Sequence, residues 1–164
     1  MFCTIIVIFI VLFDQITKFL VATHLQDGKI ITLIPNVISL CYHENSGAAW
    51  GMFADRRWVF MTASIVAIVA IVGALIYMRD KNSSKLLITS LSFFLGGGIG
   101  NMIDRFRLKY VIDFLRFDFF EFPIFNIADS FITIGAGLMI LYLVIDTIKE
   151  EKEKRLKKMD SSNV

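Results

Sequence analysis

Two aspartates in the second half of the chain carry the clearest chemical signal in the sequence. Asp113 lies in the segment VIDF, and Asp129 lies in the segment FNIAD. Polar residues beside long apolar segments are costly to hold in a membrane, so their presence indicates function. Two carboxylates held close together cannot both ionise cheaply, and they then share a proton. The charged member can take a proton from water while the neutral member donates to a carbonyl, so we predict a catalytic carboxylate pair.

This acid–base chemistry is the kind that aspartic proteases use, and it needs no cofactor or metal. The sequence has no HExxH motif, no phosphate-binding glycine loop and no cluster of histidines and cysteines. His24 and His43 stand apart, as do Cys3 and Cys41. A serine–lysine dyad is chemically conceivable, but no spacing favours it. We therefore expect no cofactor.

Each aspartate also has a purely structural interpretation, and both interpretations stay open at this point. Asn126 and Asp129 have the spacing of a helix N-cap and its N3 position, so Asp129 could simply complement a helix dipole. Asp113 could be an exposed charge on an edge strand. Asp104 and Arg105 could form an interfacial salt bridge with no chemical role. Taken together, however, these polar groups gather at the same ends of several predicted helices.

The elements that must position these residues are membrane helices. Of the 164 residues, 56% are hydrophobic, and the mean hydropathy is +0.68, unlike an ordinary soluble domain. A spanning helix needs about 20 mainly apolar residues. We expect one integral membrane domain of mainly α structure, with spans over residues 1–22, 58–78, 86–104 and 126–146. The first span lacks the basic start and cleavage site of a signal peptide, so we expect it to be retained.

Two segments between the predicted spans, residues 23–57 and 106–125, are expected to form a small β structure. Residues 30–34 and 37–42 are rich in β-branched residues and flank Pro35-Asn36, which predicts strand, turn and strand. Residues 49–58 mix aromatic and charged side chains, as a short interfacial helix does. The second segment reads as a strand or hairpin that pairs with the first.

Helix one and helix three carry the remaining polar groups. Asp14 and Lys18 are spaced i,i+4 and can pair. We expect a structural ion pair with Lys18 reaching toward the surface, which is compatible with Asp14 facing the bundle interior and bracing the site. Glycines at positions 96–98 and 100 should allow close approach to helix three.

The distribution of lysine and arginine predicts orientation. Basic residues are dense in the 79–85 loop and in the tail, residues 147–164. The positive-inside rule makes that side cytoplasmic, with both termini. The candidate site then lies at the outer face.

At this point the chain resembles the lipoprotein signal peptidase family, also called signal peptidase II. The resemblance rests on five motifs in the order of the family, and it covers nearly the whole chain: DQITK at 14–18, NSGAAWG at 45–51, GGGIGNMIDR at 96–105, VIDF at 111–114 and FNIAD at 125–129. It implies four membrane helices, an extracytoplasmic β-cradle and a short interfacial helix in a bacterial cell membrane.

The resemblance also implies an activity and its residues. The family cleaves signal peptides from diacylglyceryl-modified prolipoproteins on the N-terminal side of the lipidated cysteine, with catalytic aspartates that match Asp113 and Asp129. The positions expected to support the site or bind substrate are Asp14, Lys18, Asn45, Gly47, Asn101, Asp104, Arg105 and Asn126. We expect Asn101 and Asn126 to orient substrate or carboxylate, and Arg105 to pair with Asp104.

The expected partners are prolipoproteins with a lipidated cysteine and membrane lipid, without nucleic acid, and the chain is expected to be a monomer. Two rival functions remain. In a proton-coupled transporter, Asp14, Asp104 and Asp129 would form a relay through membrane depth. In a membrane scaffold without catalytic activity, substitution of Asp113 or Asp129 would change nothing but the stability of the protein.

Overall fold

The computed structural model describes residues 2–47, 57–79 and 83–162 of the chain. The described elements, in chain order, are α1 (Phe2–Leu25), β1 (Ile31–Ile34), β2 (Ile38–Asn45), α2 (Arg57–Tyr77), α3 (Lys85–Arg107), β3 (Val111–Phe117) and α4 (Ile127–Ser162). The interfacial helix expected over residues 49–58 lies almost entirely outside the described residues.

Three of these helices, α1, α3 and α4, are long and apolar enough to cross a membrane within the described ranges. In α2 the apolar helical stretch is shorter than in these three helices and covers Met61–Tyr77. The fold is therefore mainly helical with a small sheet. The expected fourth span remains a prediction. Helix α4 also continues without a break into the charged tail, which the sequence reading had separated at residue 147.

Helix α3 lies at the centre of the bundle and contacts α1, α2 and α4. Its glycines make this possible. A Cβ atom on Gly97 would lie 2.5 Å from the carbonyl oxygen of Ala128, and one on Gly100 would lie 2.6 Å from Oδ2 of Asp14. Because these distances are shorter than van der Waals contact, the glycines bring α1 and α4 against the backbone of α3.

Gly97→Ala is expected to destabilise the protein by about 1–3 kcal/mol, because the added methyl group must displace the α4 backbone. The neighbouring Gly98→Ala is a matched control, since its Cβ would meet only Ile68 at 3.6 Å, an ordinary contact. Thermal unfolding in detergent measures both. Equal unfolding temperatures for the two variants would contradict the close α3–α4 packing.

The bundle is apolar outside and polar inside. Large apolar side chains such as Phe9, Phe19 and Val69 are exposed on the helix surfaces. Asp14 and Lys18, on the inner face of α1, are 0% and 2% exposed. This arrangement suits a hydrocarbon environment. Apolar faces need no water there, and polar groups must find their hydrogen-bond and charge partners inside the bundle.

The three strands form an antiparallel sheet in the order β1-β2-β3. The predicted turn between the first two strands is present, with Asn36 at a φ of 59°. Strand β2 runs on to Asn45, three residues beyond the predicted strand end, and a register shift lies between Leu40 and His43. The second segment forms one strand, β3, with Phe125 bridging to Leu115 instead of a full hairpin.

The sheet is fixed on the bundle by an apolar cluster at the end of α1. Val21 and Leu25 pack there with Ile112 and Phe114 of β3, and all four are buried. This packing sets the position of β3 relative to α1. The residue between Ile112 and Phe114 is Asp113, so the cluster also places that carboxylate.

Candidate active site

The start of α4 positions Asp129 through a reciprocal cap. The side-chain oxygen of Asn126 accepts a hydrogen bond from the Asp129 amide nitrogen at 2.9 Å, and Oδ2 of Asp129 accepts one from the Asn126 amide nitrogen at 3.2 Å. This is a capping box. The structural interpretation of Asp129 is thus present in the fold, yet it occupies only one carboxylate oxygen.

Amide side chains link Asp113 to Asp129. Nδ2 of Asn126 donates to Oδ1 of Asp113 at 2.6 Å and to Oδ1 of Asn101 at 3.0 Å. Nδ2 of Asn101 in turn donates to Oδ1 of Asp129 at 2.7 Å. Two amides from α3 and the α4 start therefore hold two carboxylates from different elements in one hydrogen-bonded chain.

Strand β2 closes the other side of Asp113. Nδ2 of Asn45 donates to Oδ2 of Asp113 at 2.8 Å, and Oδ1 of Asn45 accepts from the Gly47 amide nitrogen at 3.0 Å. The Gly47 amide thus fixes the orientation of the Asn45 side chain. Asp113 is 1% exposed and is not the exposed edge-strand charge of the structural alternative.

Burial raises the pKa of Asp113 to about 7, and the charge of Asp129 acts in the same direction. The hydrogen bonds from Asn45 and Asn126 and the charge of Lys18 act in the opposite direction. Asp113 can therefore keep a proton close to neutral pH. That is what acid–base work by two neighbouring carboxylates requires.

A buried ion cluster lies beneath the pair. Nζ of Lys18 is 2.9 Å from Oδ2 of Asp14 and 2.9 Å from Oδ2 of Asp104, and it donates to Oδ1 of Asn101 at 2.9 Å. The expected Asp14–Lys18 ion pair is present. The expected reach of Lys18 toward the surface is wrong, because α3 supplies two further partners inside the bundle.

The cluster also holds the backbone on which the two aspartates sit. Oδ1 of Asp14 accepts from the Ala128 amide nitrogen at 2.9 Å, and Oδ2 of Asp104 accepts from the Ile112 amide nitrogen at 3.2 Å. Ala128 and Ile112 immediately precede Asp129 and Asp113 in the chain. Lys18 therefore forms salt bridges with both carboxylates that anchor the two sides of the candidate site.

Comparison with known proteins identifies the family. Residues 6–145 match the family model described as signal peptidase (SPase) II. The chain belongs to the signal peptidase II family. It is 43% identical over 137 residues to the lipoprotein signal peptidase of Brevibacillus brevis, covering 84% of this chain and 91% of that protein.

Further comparisons agree with this family membership. The lipoprotein signal peptidase of Lactobacillus johnsonii is 42% identical over 146 residues, which is 89% of this chain and 94% of that protein. A solved structure of a bacterial membrane enzyme, determined by the in meso method, superposes with a TM-score of 0.80 at 36% identity and covers 88% of each chain. The chain is thus a membrane protein of a protease family.

Arg105 has a different place in this signal peptidase II chain from the one expected. Among the described residues, Asp104 forms its salt bridge with Lys18 and none with Arg105, so the expected Arg105–Asp104 pairing is reduced to a longer-range electrostatic interaction. Successive residues of a helix do not face each other, which explains why the two side chains form no salt bridge. The half-buried Arg105 interacts electrostatically with Asp129 first, then with Asp113 and Asp104. Its positive charge therefore acts on both members of the pair.

Gln15 is a site residue that the sequence reading missed. Its Nε2 donates to Oδ2 of Asp14 at 3.2 Å, to the Gly100 carbonyl oxygen at 3.1 Å and to Oδ1 of Asp104 at 3.0 Å. Gln15 thus donates to Oδ1 of Asp104, which Lys18 does not contact, and shares Oδ2 of Asp14 with Lys18. Its place inside the DQITK motif is the signal that identifies it in the sequence.

His43 stands apart from other candidate residues in the sequence, yet it is the cross-strand partner of Asp113. Paired residues in an antiparallel sheet have their side chains on the same face. His43 is exposed while Asp113 is buried. It therefore marks the solvent-facing side of the candidate site.

Proposed function

We propose that this chain is an aspartyl endopeptidase of the membrane. Its substrates are prolipoproteins modified with diacylglycerol, and it cleaves on the N-terminal side of the lipidated cysteine. The observation that carries the proposal is the hydrogen-bonded chain from Asp113 through Asn126 and Asn101 to Asp129. The family membership and the relatives named lipoprotein signal peptidase support the substrate class.

In the proposed mechanism the pair holds one proton and one water molecule. The ionised carboxylate takes a proton from the water as its oxygen attacks the scissile carbonyl carbon, and the protonated carboxyl gives its proton to the carbonyl oxygen. The tetrahedral intermediate then collapses, and a carboxyl proton passes to the leaving amine. The carbon–nitrogen bond breaks, and the other, ionised carboxylate takes a proton from one hydroxyl of the tetrahedral intermediate as the new carbonyl forms. The pair then again holds one proton.

The supporting residues fix the pair for this reaction. Asn126 and Asn45 donate to the two oxygens of Asp113, one each. The Asn101 side chain and the Asn126 amide nitrogen donate to the two oxygens of Asp129. Asp14 and Asp104 hold the backbone of α4 and β3. Such preorganisation lowers the cost of reaching the transition state, because the groups need not reorient during the reaction.

We also propose the membrane arrangement of the chain: four spans, both termini in the cytoplasm and the site at the outer face. The site lies near the C-terminal ends of α1 and α3 and the N-terminal end of α4, together with the sheet. Arg79, Lys85 and the basic tail of α4 lie at the opposite helix ends. This asymmetry supports the orientation by the positive-inside rule. The chain is proposed to act as a monomer.

The direct test uses the purified protein in detergent with a synthetic prolipoprotein peptide that carries a diacylglyceryl cysteine. Mass spectrometry of the products should show one cut, at the bond before the modified cysteine. The same peptide without the lipid serves as the control and should be cut far more slowly. Cleavage elsewhere, or no cleavage of the lipidated peptide by a folded protein, would refute the proposed activity.

A second prediction concerns the pH dependence of Asn45→Ala. The Asn45 hydrogen bond stabilises the ionised form of Asp113 and lowers its pKa, so its loss should raise that pKa above about 7. The protonated form of Asp113 then persists to higher pH, and the alkaline limb of the kcat/KM profile should move to higher pH. The maximum rate should fall about tenfold or more, because a hydrogen bond to a charged group is lost.

The pH profile of Glu44→Gln provides the matched control. Glu44 is the neighbouring residue on β2, and its carboxylate accepts a hydrogen bond from the Tyr42 hydroxyl at 2.9 Å instead of facing Asp113. The alkaline limb of the kcat/KM profile of Glu44→Gln should stay at the pH of the wild type. An Asn45→Ala limb that moves to lower pH would show that Asn45 does not stabilise the ionised carboxylate.

A further inference from the structure

A groove at the basic end of the bundle is separate from the candidate active site. It lies between the N-terminal end of α1, the C-terminal part of α2 and the N-terminal half of α3, and its volume is about 890 Å³. Its walls are mostly aliphatic side chains of these three helices: Val7, Ile8, Val72, Ile76, Ile88 and Leu95.

The end of the groove at the start of α3, called the mouth below, is polar and basic. Arg79 and Lys85 line it, together with the hydroxyl residues Thr4 and Ser83. Arg79 and Lys85 therefore make the described lining residues at this end positively charged. A ligand that fits must combine an anionic end with hydrogen-bond acceptors and an apolar body.

The depth of the groove matches half a bilayer. Its lining on α3 extends from Lys85 to Leu95, which corresponds to about 15 Å of helix. The hydrocarbon core of a bilayer is about 30 Å thick, so the groove spans about one leaflet. An acyl chain whose phosphate lies beside Arg79 and Lys85 would reach Leu95, the last lining residue on α3.

We propose that this groove is a binding site for an anionic phospholipid of the leaflet at the basic end of the bundle. The phosphate lies between Arg79 and Lys85, and one acyl chain packs against the aliphatic walls. Basic pockets between membrane helices recognise acidic headgroups in this way. A signal peptide is a poorer occupant, since its own basic start would meet two cations at the mouth.

The test is native mass spectrometry of the full chain in detergent with equimolar phosphatidylglycerol and phosphatidylcholine. The wild type should retain phosphatidylglycerol preferentially. Each mouth cation should contribute about a fivefold effect on affinity, so Arg79→Gln/Lys85→Gln should weaken phosphatidylglycerol binding by about 25-fold. The tail double variant Lys152→Gln/Lys157→Gln removes the same charge at the same end, and it should bind as the wild type does.

A second variant tests the apolar part without changing charge. Val72→Trp places an indole in the groove, and it should reduce binding of the retained phospholipid while the unfolding temperature stays near that of the wild type. Equal retention of both lipids by the wild type would overturn the proposal, as would equal losses in the mouth and tail variants. Displacement of the lipid by a basic signal-peptide analogue would assign the groove to the substrate instead. None of these outcomes depends on catalysis, so they are independent of the proposed peptidase activity.

Discussion

Asp113→Asn and Asp129→Asn should each lower the kcat for cleavage of the lipidated peptide by at least about a thousandfold. General acid–base catalysis by one positioned group contributes about 10²–10⁴ in rate, and the two carboxyls must alternate between donor and acceptor. An amide cannot take the proton from water. Because Asn preserves the shape of Asp, peptide affinity should change little, so the loss should fall on kcat and not on KM.

The controls separate catalysis from folding. Asp27→Asn removes a carboxylate from an exposed ion pair with Lys29 and should leave the rate unchanged. The double variant Asp113→Asn/Asp129→Asn should be about as slow as either single variant, because residues that act as one unit are not additive. A folded single variant with near-normal turnover would remove that residue from the mechanism. Its structural role, as a helix cap or a strand residue, would then be its only role.

The case of Asp129 shows why a structural and a functional interpretation need not compete. The spacing of Asn126 and Asp129 predicted a helix cap, and the structure contains that cap. The cap uses Oδ2 of Asp129 and leaves Oδ1 for Asn101 and the site. The cap at Oδ2 positions the carboxylate. Oδ1 accepts from Asn101, the residue that links Asp129 through Asn126 to Asp113.

The elements of the fold could be predicted because their signals are local. Apolar segments of helical length gave the helices, and β-branched runs around Pro35-Asn36 gave the first two strands. The pairing of β2 with β3 followed from their composition. The end of β2 was missed, because polar residues such as His43 and Asn45 carry little strand signal on their own.

The side-chain network could be predicted only where partners share one helix. Asp14 and Lys18 are four residues apart, so their pairing could be anticipated. The second and third partners of Lys18, Asp104 and Asn101, come from α3, and no local pattern encodes that contact. For the same reason the roles of Gln15 and Arg105 could not be read from spacing.

Lys18→Met should destabilise the protein by about 3–5 kcal/mol, the range for breaking a buried ion pair from one side. Lys18 is 2% exposed, and its removal leaves Asp14 and Asp104 facing each other inside the bundle without a cation. The unfolding temperature in detergent is the measurement. Lys29→Met is the matched control, because its pair with Asp27 is exposed and should make little difference.

A compensated variant shows whether the loss is electrostatic or due to packing. In Asp14→Asn/Asp104→Asn/Lys18→Met no uncompensated charge remains, and replacing a buried ion cluster with neutral groups can restore stability. The unfolding temperature should therefore recover a large part of the Lys18→Met loss. Activity should not recover, because neutral amides hold the Ala128 and Ile112 backbone less firmly and Asp113 loses a nearby cation. If stability and activity returned together, the charge of this cluster would have no part in positioning the two aspartates. If neither returned, the size and shape of the lysine side chain would account for the loss.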